Sequence, residues 1–517
     1  MHNHPLTTSL FFLSLLAGAC GSSGNSNYCD EETPCGTESA GSFCDLETFA
    51  CGEEPMSSAP ECTSDADCES GASCDATGSC QRCEPGEVGD SQCLGSDPDA
   101  PFCGSDGCVE CLDSSQCFDE SASVCDLGAG SCRGCASNDE CDTGICEIEA
   151  GTCADQADIV HIATNGDDGP GCGSESSPCL TLEQGLTRVD ENRQHMLVDA
   201  GDYNEAVTVE GIRVNLVADG LVTLQRPFAV RAGATVAMSG FRITRLGQAV
   251  GSGISCLSFG ETASIHFSDG EIIGMGSGAS AAFSCKMLIE RTTISGSESA
   301  GVFASSGEMT IVDSVISNNG GDGIFGRNGI VNVSNVKVVS NRGLGLNLSA
   351  EIGPVTANVT GSTIRENGDH GLLLGRGDAV ITNNVIADNG GPVFIGSEIG
   401  IADLSFNTIT ENQAGDDVAS GVVCEGAATA SGNIVYDNQG GPAVSGNCAW
   451  SYSNIEGGQA GSANIDLPPT LDAGYHLQPG SPCIDAADPK ATIAVDIDGE
   501  SRPNANAHDI GADEANF

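Results

Sequence analysis

The residues of this chain that could do chemistry are its carboxylates and its cysteines. Asp and Glu number 73 against 18 Lys and Arg, a formal charge of -55, and 28 cysteines accompany them. Two carboxylates roughly 5–9.5 Å apart could hydrolyse a glycoside, and one carboxylate beside a cation could serve a lyase as base. Asp416 with Asp417, and Asp388 with Glu411, are such pairs. In so acidic a chain, however, neighbouring carboxylates arise without a catalytic purpose. Groups that would hold a substrate are sparse: the regular repeats carry Arg327, Lys337, Arg342, Arg365, Arg376 and His370, and the one Trp is Trp450. The balance favours a non-catalytic binding, adhesion or structural protein with no catalytic residue assigned; the alternative is a polysaccharide lyase or glycoside hydrolase. The same charge excludes nucleic acid and anionic membrane surfaces as partners and leaves a polysaccharide or cell-surface ligand.

Cation binding is the second chemistry on offer. Glu366, Asp388, Glu411 and Asp437 each stand one residue before an Asn in the recurring phrases IRENG, IADNG, ITENQ and VYDNQ. Stacked at ~4.8 Å, they would repel one another or hold a counter-ion, and flexible oxygen-rich sites suit calcium. The competing reading leaves them as screened turn residues in solvent. The phrase DIDGE, with Asp496 and Asp498, has the Asp-x-Asp-Gly of a calcium loop without its remaining ligands. No other cofactor is implied.

These phrases belong to a repeat. With ISNNG and the variant VSNRG, their leading residues are Ile316, Val339, Ile364, Ile386, Ile409 and Val435, a period of roughly 22–26 residues that signals a stacked solenoid. Each period holds a second apolar position (Ile324, Leu346, Leu372, Val393, Val422, Val444) and a third (Ile311, Val333, Val359, Ile381). Short β-branched runs divided by Gly and Asn, without a helical stripe, predict three strands per coil. The fold class is therefore all-β, a parallel β-helix of about 11–12 coils on the order of 50–60 Å long. Ile243, Ile273 and Ile294 are the expected earlier counterparts of Ile316. Asn319, Asn367, Asn389, Asn412 and Asn438 form the expected amide ladder at left-handed turns, with Arg342 interrupting it.

A disulfide-rich array of small modules precedes the rod. Between Cys29 and Cys153 the cysteines fall into groups of four, and CTSDADC, CLDSSQC and CASNDEC mark the unit. Modules this small fold on disulfides, with internal pairing left open. The spacings CQRC, CVEC and CRGC suggest zinc knuckles, but each straddles a module boundary. About thirty carboxylates against Arg82 and Arg133 would keep such a stalk extended. Upstream, LFFLSLLAGA (residues 10–19) is the apolar run of a secretory signal.

Four resemblances add to this. LLAGAC followed by GSSGNSN resembles a bacterial lipoprotein box, which implies lipidation of Cys20; an ordinary signal cut near Ala19 is the other reading, and the leader has no Lys or Arg. The stretch VHIATNGDDGPGCGSESSPCLTLEQGL resembles the opening of bacterial proteins of the pectin-lyase-like superfamily, right-handed parallel β-helices that include lyases and hydrolases. It implies a capping helix over about Thr181 to Asp190, with Leu182, Leu186 and Val189 on one face. Asp369-His370-Gly371 superficially resembles the Gly-His-Gly of polygalacturonases, without the accompanying Asn-x-Asp and Arg-x-Lys phrases. The ending YHLQPGSPCIDAADPKATIAVDIDGESRPNANAHDIGADE resembles the choice-of-anchor Q segment that closes bacterial surface β-helix proteins, with Cys483 as a departure. The expected order is signal peptide 1–19, lipidated tether 20–28, modules 29–154, β-helix 158–465 with its capping helix, and C-terminal cap 466–517. Together they imply an exported lipoprotein of a Gram-negative outer membrane or cell surface, or a secreted protein, touching membrane only through its lipid.

The repeat register also predicts disulfides. Cys256 and Cys285, and likewise Cys424 and Cys448, fall at nearly the same place in consecutive coils, within bonding range. Cys172 and Cys179 flank the opening loop, and Cys483 is left over.

Overall fold

The computed structural model describes residues 99–104, 107–148, 150–247, 251–349, 353–414 and 419–517, together with Cys93 and short strands at Ser42–Asp45, Ala50–Glu53, Ala72–Cys74 and Cys80–Arg82. The leader, Cys20, Asp416 and Asp417 lie outside the described residues. Two compact units divide at 134/135.

Each described module is a loop followed by a two-stranded hairpin. The hairpin sets the third and fourth cysteines opposite each other, Cys125 against Cys132 and Cys146 against Cys153. Both then reach back to the loop: Cys111–Cys125 with Cys117–Cys132, and Cys135–Cys146 with Cys141–Cys153. First joins third and second joins fourth, a pattern that Cys93–Cys108 repeats. The cysteines of CVEC and CRGC are thereby consumed in separate bridges, which removes the zinc-knuckle reading there.

The second unit holds the rod, in which 27 strands form about 11 coils. It opens with Ile159–Ile162, which pairs in parallel with His195–Val198. Thereafter each coil has three strands, and each strand stacks on its counterpart one coil on. The inward residues form continuous columns: Ile311, Val333, Val359 and Ile381 in the first; Ile294, Ile316, Val338, Ile364 and Ile386 in the second; Ile324, Leu346, Leu372 and Val393 in the third. All of these are buried in one core. Strands of alternating burial, such as Thr235–Thr244, supply it from one face and leave the other outward.

Two register expectations are corrected. The counterpart of Ile316 is Val338, not Val339, and earlier it is Ile272, not Ile273. A slip of one residue exchanges the faces, and Ile273 is accordingly 36% exposed. Asn341 therefore enters the ladder and Arg342 does not interrupt it: Nδ2 of Asn319 donates to Asn341 Oδ1 (2.9 Å), and Asn341 Nδ2 to Asn367 Oδ1 (3.0 Å). The series continues through Asn389 and Asn412 to Asn438. Each Oδ1 also accepts the backbone N–H of the preceding rung, and each Nδ2 also reaches a carbonyl, as Asn389 reaches Ile364. The ladder side chains are thus buried and fully bonded. The left-handed backbone falls on the residue before each: Asn318, Ser340, Glu366, Asp388, Glu411 and Asp437 all have φ between 53° and 58°.

A second ladder, absent from the sequence reading, runs Asn384, Asn407, Asn433 at the corner between first and second strands. Glycine before the third strand gives the first ladder room, since a Cβ on Gly371 would sit 2.5 Å from Ile386 Cγ2 and 2.8 Å from Asn389 Nδ2.

The capping helix is shorter than expected, Leu182–Leu186, with Thr181 as N-cap. Gly185 brings it so close to Ile162 that a Cβ would lie 2.3 Å from Cδ1, and Thr187 bonds back to the Gln184 carbonyl and ends it. Leu186 and Val189 still pack on the core. Residues 466–517 lie along the flank of the last coils, not simply over the rod's end: Leu477, Cys483, Ile510 and Ala512 cover the outward Val385, Ala387, Phe406 and Ile434.

The structure joins Cys172–Cys179, Cys256–Cys285 and Cys424–Cys448, with Cα separations of 4.8, 5.9 and 5.6 Å. The geometry behind the two rod bridges is corrected. Cys256 stacks on Ala281 and Cys285 on Ala263, so the partners sit on different strands. Each bridge crosses the corner from a third strand to the first strand one coil beyond the one that directly follows it, and Cys424 with Cys448 repeats it. Cys483 is free and buried, and burial pushes its thiol pKa up to about 11.

Candidate functional site

The fifth module belongs to the rod's unit and packs on an apolar patch on the outward face of the first two coils. Leu197 and Val217 point out from their strands and are covered by Ile145 and Ala154. His195 Nε2 then meets Glu147 Oε1 at 2.9 Å, at the module's edge. The module stands up from the sheet, and between the two lies a cleft of about 1380 Å³. That is larger than the ~300–1,000 Å³ of ordinary small-ligand pockets.

The floor is built from outward residues of successive first strands, a coil apart. Asn215, Thr235, Ser239, Ser264 and Thr310 offer hydroxyls and an amide, and Leu288 a small apolar step. Beside them the charges are paired. His266 Nε2 lies 2.9 Å from Glu290 Oε2, and Arg291 contacts the other oxygen of Glu290 at 2.5 Å. Arg291 also donates twice to Asp269 (2.7 and 2.9 Å), which holds that carboxyl below its usual range. Lys286 Nζ is 2.9 Å from Glu308. Arg213, exposed at the mouth, makes no ion pair among the described residues. The lining contains no Phe, Tyr or Trp.

The residues singled out by sequence lie elsewhere. Glu366, Asp388, Glu411 and Asp437 do form one column, exposed, at the second corner. Their partners are local: Ser340 and Arg365 for Glu366, and the Tyr475 hydroxyl for Glu411 (2.9 Å). The structure gives these residues a turn conformation as their common role. Asp369 pairs with His370 (2.6 Å), and Trp450 is a core residue, 5% exposed. In the DIDGE turn Asp496 Oδ1 accepts the N–H groups of Asp498 and Glu500, and its Oδ2 that of Glu514. Asp498 faces His476. Sequence reasoning missed the cleft, whose one advance signal was Leu197 and Val217 on a face that should be polar.

Residues 248–351 and 331–457 match the family described as right handed beta helix region. No curated protein matches the sequence. Among solved structures, pectate lyase Pel9A is similar at 17% identity over 69% of this chain and 96% of its own, with a TM-score of 0.42. A complex of XylC with xylose is similar at 10% over 68% and 98%, TM-score 0.46. The A-module of the Azotobacter vinelandii mannuronan C-5 epimerase AlgE6 is similar at 13% over 53% and 91%, TM-score 0.39. The matched family region and the coil register together make the rod a right-handed parallel β-helix.

Proposed function

We propose that this chain is a non-catalytic binding protein of the cell envelope, whose rod holds an uncharged polysaccharide chain in the cleft beside the fifth module. The observation that carries this reading is the pairing of the cleft's acids. Of the five acids in the lining, Glu147, Asp269, Glu290 and Glu308 each face a basic side chain and Asp139 faces none among the described residues, so most of the negative charge is paired or hydrogen-bonded on a surface rich in hydroxyl and amide groups. With no aromatic platform in the lining, recognition rests on many hydrogen bonds along an extended ligand, which suits a polymer better than a monosaccharide. Export is supported by the disulfides of modules and rod, which persist in oxidising compartments. The leader and the lipoprotein-like Cys20 support anchoring.

The test is a glycan array probed with the exported chain, followed by titration of any retained polysaccharide. Neutral polymers bind, and Arg213→Ala with Asn215→Ala weakens them about tenfold. The His266–Glu290 pair inside the cleft favours one rival, a lyase or hydrolase. Release of reducing ends or unsaturated product that stops with Glu290→Gln would replace the binding reading with that one.

A further inference from the structure

The segment 466–517 holds several buried carboxylates, and all but one are accounted for. Asp496 and Asp509 have both oxygens filled by backbone N–H groups, Asp509 by those of Asp485 and Ala515. Glu514 lies 3.6 Å from buried Arg502. Asp513 is different. It is 6% exposed, one oxygen accepts the Leu477 N–H (2.7 Å), and no Lys or Arg pairs with it among the described residues. Leaving a carboxylate buried without a counter-charge is costly.

What Asp513 faces is an imidazole and a second carboxylate. One ligand atom from each of His476, Asp498 and Asp513 lies within 4.8 Å of the others. His476 Nε2 is 3.0 Å from Asp498 Oδ2. The ring's other nitrogen, Nδ1, lies 3.3 Å from Asp472 Oδ1. That oxygen is itself fixed by the N–H groups of Gly474 and His476 (2.7 and 2.9 Å). A carboxylate that accepts from Nδ1–H sets the tautomer and leaves the Nε2 lone pair free, which is how metal-binding imidazoles are held in place.

We infer that His476, Asp498 and Asp513 bind one divalent transition cation, with Asp472 as the positioning residue behind the imidazole. One nitrogen and two carboxylate oxygens suit a borderline ion such as Zn²⁺ rather than calcium, with water completing the shell. The ion would clasp the 472–476 turn, the 496–500 turn and the chain's last residues, three stretches of a segment that contributes no strand to the rod.

The experiment is calorimetric titration of the full exported chain, stripped with EDTA, with ZnCl₂. One equivalent binds, the thermal midpoint rises with free ion as linkage requires, and CaCl₂ at the same concentration does neither. His476→Gln and, separately, Asp498→Asn, both on exposed side chains, lower the affinity at least tenfold while leaving the EDTA midpoint unchanged. His370→Gln, which removes a separate imidazole–carboxylate pair on the rod, leaves binding intact. Co²⁺ in place of Zn²⁺ gives weak visible bands without a thiolate charge-transfer band, which separates this site from Cys483. No saturable Zn²⁺ binding, binding unaltered in both variants, or a thiolate band would overturn the inference.

Discussion

The rod's two halves turn the same corner by different means. From Asn319 onward an amide stands at each second corner and binds its neighbours above and below, and the residue before it is Asn, Ser, Glu or Asp in left-handed backbone. One and two coils before Asn319 the same positions hold Ser297 and Met275, preceded by Gly296 and Gly274 with φ of 65° and 67°. The early half relies on glycine to turn and fills the corner with one small or apolar side chain, Ser297 or Met275; the late half relies on a polar spine. A polar spine fixes register because each rung is satisfied only by the next. Long and bulged strands occur in both halves, but the cleft lies in the early one.

The largest effect that would break this comparison comes from swapping the corner chemistry. Asn389→Leu strands the Asn367 N–H and Nδ2 groups and the Ile364 carbonyl, and should cost about 3–5 kcal/mol. Met275→Leu should cost under about 1.5 kcal/mol. Equal losses in urea unfolding would show that the ladder is no spine. Next come the two corner bridges, which close loops of similar separation, 29 and 24 residues. Paired Cys→Ser changes should each remove ~2–4 kcal/mol. Hydrogen exchange should then open the coils around positions 256 and 285 more widely than those around 424 and 448, where the ladder remains. The smallest effect is at the left-handed residue itself: Glu366→Gly should raise stability by about 1 kcal/mol and Gly296→Ala should lower it by about 1–2 kcal/mol. Thermal midpoints moving the other way would place the strain elsewhere.

Much of this was legible from residue types. Ile324, Leu346, Leu372 and Val393 recur at one place per coil because a narrow core admits little else there, and the three-strand coil follows. Where neighbours are alike the reading slipped: Ile272 and Ile273 are both isoleucine, and Val338 stands directly before the Val339 that opens VSNRG. The second ladder was hidden because its earlier rungs are Ser314, Val336 and Ser362, which carry no amide. The cleft and the His476 cluster depend on segments brought together only by packing, and no local periodicity encodes that.

The corner bridges have one more consequence, for a rod held at one end and pulled at the other. Hydrogen bonds between coils run along the axis, so tension peels turns off one at a time, each releasing roughly 75–90 Å of chain. A covalent rung between adjacent turns stops that. Cys256–Cys285, about a third of the way along the stack, and Cys424–Cys448, near its C-terminal end, act as two fixed stops at which the shedding of turns halts, with stretches between and before them that can lengthen under load.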